Sequence, residues 1–123
     1  MEENLNYESR TGRWTDNGGT LIATGFAGHG KGLNNPEMEN VRFVGALPRG
    51  VYVVGPWHTH PRLGPMVCRL TQISGDTFGR GDFYCHGEDS HPETNDESLG
   101  CTVVKRPGRQ KIHDLNPVFV HVW

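Results

Sequence analysis

Apolar and polar positions alternate over short runs along this chain, and no long stretch carries the three-to-four-residue spacing of an amphipathic helix. Asn6-Tyr7-Glu8-Ser9 and Arg13-Trp14-Thr15 read as strands flanking Arg10-Thr11-Gly12, a hairpin turn. Asp16-Asn17-Gly18-Gly19 is a second turn, because Asn-Gly tolerates positive φ. Residues 20–26 form a further strand, and residues 27–40 are loop, broken by Gly28, Gly30, Gly32, Asn34, Asn35 and Pro36. Leu47-Pro48-Arg49-Gly50 turns into the strand 51–54. Strands are expected at 66–71, 82–86, 102–104 and 118–123, with one short helix near 109–115. Many short strands between frequent turns predict a mainly β fold, a sandwich or barrel.

Composition narrows this to one turn-rich domain, residues 1–123. Hydrophobic residues make up 34% of the chain, alongside 17 glycines and 8 prolines. A formal net charge of -2 gives no basis for a nucleic-acid surface. No apolar run is long enough to span a membrane. The acidic start Met1-Glu2-Glu3-Asn4 lacks the character of a signal peptide, so synthesis in the cytoplasm is expected.

The chemistry concentrates near the C-terminus. Phe83-Tyr84-Cys85-His86-Gly87 is followed by Ser98-Leu99-Gly100-Cys101. A thiol becomes a useful nucleophile when an imidazole takes its proton or lowers its pKa. Gly100 permits a tight turn before the thiol and leaves room for backbone N–H groups to face a carbonyl oxygen. The pattern suggests acyl transfer at Cys101 with His86 as its base. Of the three cysteines, Cys68 and Cys85 read as buried strand residues, with a disulfide between them open in an oxidising compartment. Residues 88–97 carry Glu88, Asp89, Glu93, Asp96 and Glu97. They read as a solvated loop; the functional alternatives are a lid over the substrate, or a carboxylate such as Asp89 that orients His86.

The chain resembles the L,D-transpeptidase-like family, the type VI secretion L,D-transpeptidase effector group related to YkuD-type catalytic domains. The resemblance rests on the order of several segments: Ala23-Thr24-Gly25-Phe26-Ala27-Gly28-His29-Gly30, Asn34-Asn35-Pro36, Gly45-Ala46-Leu47-Pro48-Arg49-Gly50-Val51-Tyr52, Arg62-Leu63-Gly64-Pro65, Phe78-Gly79-Arg80, His86-Gly87 and Ser98-Leu99-Gly100-Cys101. It implies a YkuD-like β-sandwich with long loops and at most one or two short helices. It also implies an L,D-carboxypeptidase or L,D-transpeptidase that cleaves peptidoglycan tetrapeptide stems through a cysteine thioester. Carried over by motif, Cys101 is the nucleophile, His86 the base, Gly100 part of the oxyanion turn and Ser98 a hydrogen-bonding partner. The chain departs from the YkuD group two positions after the cysteine, where Val103 replaces the usual arginine. Arg106 or Arg109 is then the candidate for binding the substrate carboxylate. The resemblance further implies an antibacterial effector acting in the periplasm of a target bacterium, with an immunity protein and a secretion-system component as partners. A non-catalytic module binding wall peptide or protein is the alternative.

Trp57-His58-Thr59-His60-Pro61 is similar to the His-Thr-His-Pro segment of zinc-dependent deubiquitinase-type metalloproteases. Two histidines so placed need a third protein ligand. Cys68 stands where that pattern has serine, and Thr71 where it has aspartate. No metal and no cofactor is therefore expected, and a zinc-dependent hydrolase is the lesser alternative. A zinc shared by Cys85, His86 and His91 would lack a paired Cys-x-x-Cys. His58 and His60 are expected to line a loop at the cleft and, with Gly87, to contact substrate.

Overall fold

The hairpin at Arg10-Thr11-Gly12 joins β1 (Glu3–Glu8) to β2 (Arg13–Asp16) in the computed structural model of the protein, which describes residues 3–87 and 101–123. Gly12 makes the turn at φ +75°. A Cβ there would lie 1.8 Å from the Gly25 carbonyl oxygen, so a side chain is excluded twice over. β3 (Leu21–Ala27) returns antiparallel to β2. The long excursion that follows holds two 3-10 turns, Gly30–Gly32 and Pro36–Met38. Then come β4 (Gly50–Val54), β5 (His58–His60), β6 (Gly64–Gly75), β7 (Phe83–His86), β8 (Thr102–Val104), α1 (Arg106–Leu115) and β9 (Pro117–Val122).

Neighbouring strands run β4-β9-β1-β2-β3-β8-β7-β6, and β6 pairs again with β4. Eight strands thus close into a barrel, with β5 laid along the first half of β6. The mainly β expectation holds; the sandwich gives way to the barrel. The length of β6 is the physical reason. Its second half pairs with β4, from Gly75 opposite Gly50 to Leu70 opposite Val54. On its other edge Cys68, Arg69 and Leu70 face Cys85, Tyr84 and Phe83 of β7. One strand that bridges both sides leaves the ring no open edge.

The barrel interior is filled by alternate residues of its strands. Tyr7 packs edge-on to Trp14 with ring centroids 5.2 Å apart, and Tyr52 to Phe83 at 6.0 Å. Leu5, Leu70, Cys68, Cys85, Val104 and Val120 complete this core. The helix begins earlier than its expected span of 109–115, because Pro107 is tolerated in a first turn whose N–H groups have no helical partner. Ile112 drops into the core, and Gly108 lies against Ala23 and Val104. Asn116 ends the helix in the left-handed region at φ 49°, just ahead of Pro117. Among the described residues, no helix is long and apolar enough to cross a membrane.

Candidate active site

Cys101 immediately precedes β8, and His86 ends β7. These strands run parallel, with Cys85 opposite Thr102 and His86 opposite Val103. Alternation puts Cys101 and Val103 on the face shared by Tyr84 and His86, turned away from the interior where Cys85 and Val104 pack. His86 and Cys101 are then diagonal neighbours on one face.

His86 is fully buried, and its Nδ1 lies 2.9 Å from the Gly87 carbonyl oxygen. A carbonyl only accepts, so Nδ1 carries the proton and Nε2 is the basic nitrogen of the neutral ring. The Cys101 thiol is 3% exposed and donates to the Asp82 carbonyl oxygen at 3.8 Å.

Cys101 lines a cavity of about 400 Å³. Arg80, Gly81 and Asp82 enter it from the turn before β7, and Tyr84 from β7 itself. His60, Arg62 and Leu63 come from the end of β5 and the turn into β6, and Arg42 with Phe43 from the long loop before β4. The charged side chains among these described lining residues are those of Arg42, Arg62, Arg80 and Asp82. Phe43 and Asp82 both hold left-handed backbone, at φ 66° and 58°. For a ring as bulky as Phe43 that conformation is strained, and such strain gathers at binding sites. The Arg42 guanidinium stacks 5.3 Å from the centre of the Phe43 ring, and Phe43 itself is 58% exposed at the cavity mouth.

Arg80 holds that wall in place. Its guanidinium donates to the carbonyls of Glu39, Ala46 and Gly45, the last two at 2.8 Å, and lies over the Phe83 ring at 5.5 Å. Burial draws its pKa below the ordinary arginine value, while its charge and a thiolate at Cys101 attract each other. That attraction favours the reactive form of the sulfur. The same loop is tied a second time by Arg49, which forks onto the Glu39 carboxylate with its closest contact at 2.8 Å. Partial burial pushes the Glu39 pKa up, but the Arg49 side chain and backbone N–H outweigh it and hold the carboxyl below its usual range.

His60 lines the cavity, and its Nδ1 accepts from the backbone N–H groups of Arg62 and Leu63 at 3.1 and 3.2 Å. His58 is exposed, outside the cavity lining, with Nδ1 3.0 Å from the Pro56 carbonyl oxygen. The two rings are 6.3 Å apart. Among the described residues no three His, Cys, Asp or Glu side chains converge as a metal site. Gly87 is buried and supplies the carbonyl that orients His86. Arg106 is exposed at the start of α1, and Arg109 is buried with Nη1 on the carbonyls of Pro65 and Met66 at 2.8 and 2.9 Å. Neither belongs to the cavity lining; Arg109 anchors α1 to β6. Ser98, Gly100, Asp89, His91 and the acidic run between base and thiol lie outside the described residues.

Sequence reasoning did not single out Arg42, Phe43, Arg62, Arg80 or Tyr84. Arg62-Leu63-Gly64-Pro65 and Phe78-Gly79-Arg80 do fall in the segments that carry the resemblance, which was the available signal. Set against known proteins, the chain matches no family model and no curated sequence.

Proposed function

We propose that this protein is a cysteine-dependent acyl-transfer enzyme of the L,D-transpeptidase type, acting on peptidoglycan tetrapeptide stems. The observation that carries the reading is Cys101 in the wall of a cavity whose described lining is rich in arginine. Stem peptides bring free carboxylates, and Arg42 lines the cavity where such a group would be received. The kinship with YkuD-type domains belongs to this proposal and rests on the motifs quoted above.

In this reading His86 Nε2 takes the Cys101 proton. The thiolate adds to the carbonyl of the third stem residue, and a tetrahedral oxyanion forms. Collapse breaks the amide bond, the His86 proton passes to the departing amine of D-alanine, and a thioester remains on Cys101. Water or an incoming amine then resolves the thioester, giving the carboxypeptidase or transpeptidase outcome. The protein would act in the periplasm of a target bacterium, with an immunity protein as its natural antagonist.

The test is incubation of the purified chain with tetrapeptide muropeptides and identification of the products by mass spectrometry. Loss of the terminal D-alanine, or its exchange for an added D-amino acid, is the expected result. Unchanged muropeptides from a folded protein would favour the module that only binds.

A further inference from the structure

Two thiols take no part in the acyl-transfer site. Cys68 on β6 and Cys85 on β7 are direct cross-strand partners in an antiparallel pair, and both are buried in the barrel core. Directly opposed residues in such a pair have Cα atoms about 4.5 or about 5.5 Å apart, depending on the hydrogen-bonding site. Both values lie within the span of about 4.4–6.8 Å that a disulfide bridges. The two residues are neighbours on one face, so their Cβ atoms leave the sheet on the same side. In this structure both are free thiols.

We propose that Cys68 and Cys85 are an oxidation site, joined in an oxidising compartment by a cross-strand disulfide that ties β6 to β7 inside the barrel, while Cys101 stays outside that bond. The topology provides the separation this requires. Cys85 pairs with Thr102, so Thr102 shares its inward face and Cys101, the next residue back, turns to the outer face. The barrel wall stands between the pair and the third sulfur. Formation removes two protons and two electrons from the thiols. The S–S bond of glutathione disulfide, or of a dithiol oxidoreductase, breaks and takes them up as two thiols. A bond here fastens β7, the strand that ends in His86, to the longest strand of the barrel. The inference holds whether or not Cys101 is a nucleophile.

The full chain is reduced, unfolded in urea and refolded in a buffer of glutathione and glutathione disulfide; native protein is incubated in the same buffer in parallel. After acid quenching, free thiols are trapped with N-ethylmaleimide under denaturing conditions and the linkages are mapped by peptide mass spectrometry. The expected product is a peptide pair bridged between Cys68 and Cys85, with Cys101 recovered as its maleimide or glutathione adduct. Bridging in the refolding arm alone supports the proposal equally, because the bond then forms before the barrel closes over it. The oxidised protein should melt higher than the reduced one by on the order of 10 °C. That difference should survive in Cys101→Ser and vanish in Cys68→Ala and in Cys85→Ala. Refolded native protein with both thiols alkylated, a bridge that includes Cys101, or a lower melting temperature on oxidation would each overturn the proposal.

Discussion

At the scale of single residues, the proposed nucleophile Cys101 and the loop-holding Arg80 have separate tasks. Cys101→Ser swaps sulfur for oxygen in a nearly isosteric side chain, so the fold should stay within about 1 kcal/mol of the parent. Under the proposed function, muropeptide cleavage should fall by at least about a hundredfold, because a serine hydroxyl is a far weaker nucleophile than a thiol with the same base. Turnover by mass spectrometry, with circular dichroism as the folding control, checks both halves. Arg80 is the holding group. Arg80→Met would strand the carbonyls of Glu39, Gly45 and Ala46. Removing donors from buried acceptors should destabilise by roughly 2–4 kcal/mol, as read by urea denaturation. Arg80→Lys keeps the charge near Cys101 but not the fork. It should therefore lose stability yet keep the rate of thiol alkylation by iodoacetamide at neutral pH, whereas Arg80→Met should lose both. Equal alkylation rates in the two variants would show that the charge of Arg80 does nothing for the sulfur.

Elements show what a linear reading captures and what it leaves out. The hairpin between β1 and β2 and the strand ending at His86 were legible, because turn chemistry and two-residue alternation are local signals. β5 was not, since His58-Thr59-His60 between prolines is too short to alternate convincingly. The parallel pairs β1–β9 and β7–β8 join strands that a period of two cannot match to each other. The candidate site divides in the same way. Cys101 and His86 sat beside readable turn residues, whereas Arg42, Arg62 and Arg80 meet only because the barrel closes. The β3–β8 contact offers a test of that closure. Gly25 lies opposite Val104, and a Cβ on it would come 2.1 Å from the Val103 carbonyl oxygen. Gly25→Ala must push β8 away from β3, with Cys101 at its end, and should destabilise by at least about 3 kcal/mol in urea unfolding. Gly18→Ala, where the nearest contact is 3.4 Å away on the Asp16 side chain, should change stability by no more than about 0.5 kcal/mol.

For the whole molecule, the filling of the barrel dictates how it meets alkali. Burial pushes the phenols of Tyr7 and Tyr52 well above their ordinary value, and Tyr52 further donates to the Pro48 carbonyl oxygen at 2.6 Å. The neighbouring Cys68 thiol together with burial does the same to Cys85. Each group keeps its proton longer folded than unfolded, so its contribution is complete below the unfolded-state pKa and is lost as pH rises. Cys85 begins to weaken the barrel above about pH 8.5, and the two tyrosines above about pH 10. Together the tyrosines should remove about 2.7 kcal/mol of stability per pH unit there, twice the value for one site. Unfolding free energies measured in urea across this range, with tyrosinate absorbance followed in parallel, should show ionisation of these rings arriving together with unfolding. Tyr52→Phe should cost about 1 kcal/mol at neutral pH through its lost hydrogen bond and reduce the tyrosine slope by half. An unchanged slope in that variant would mean that Tyr52 ionises as readily in the closed barrel as in the open chain, and that the interior is not the dry core its packing describes.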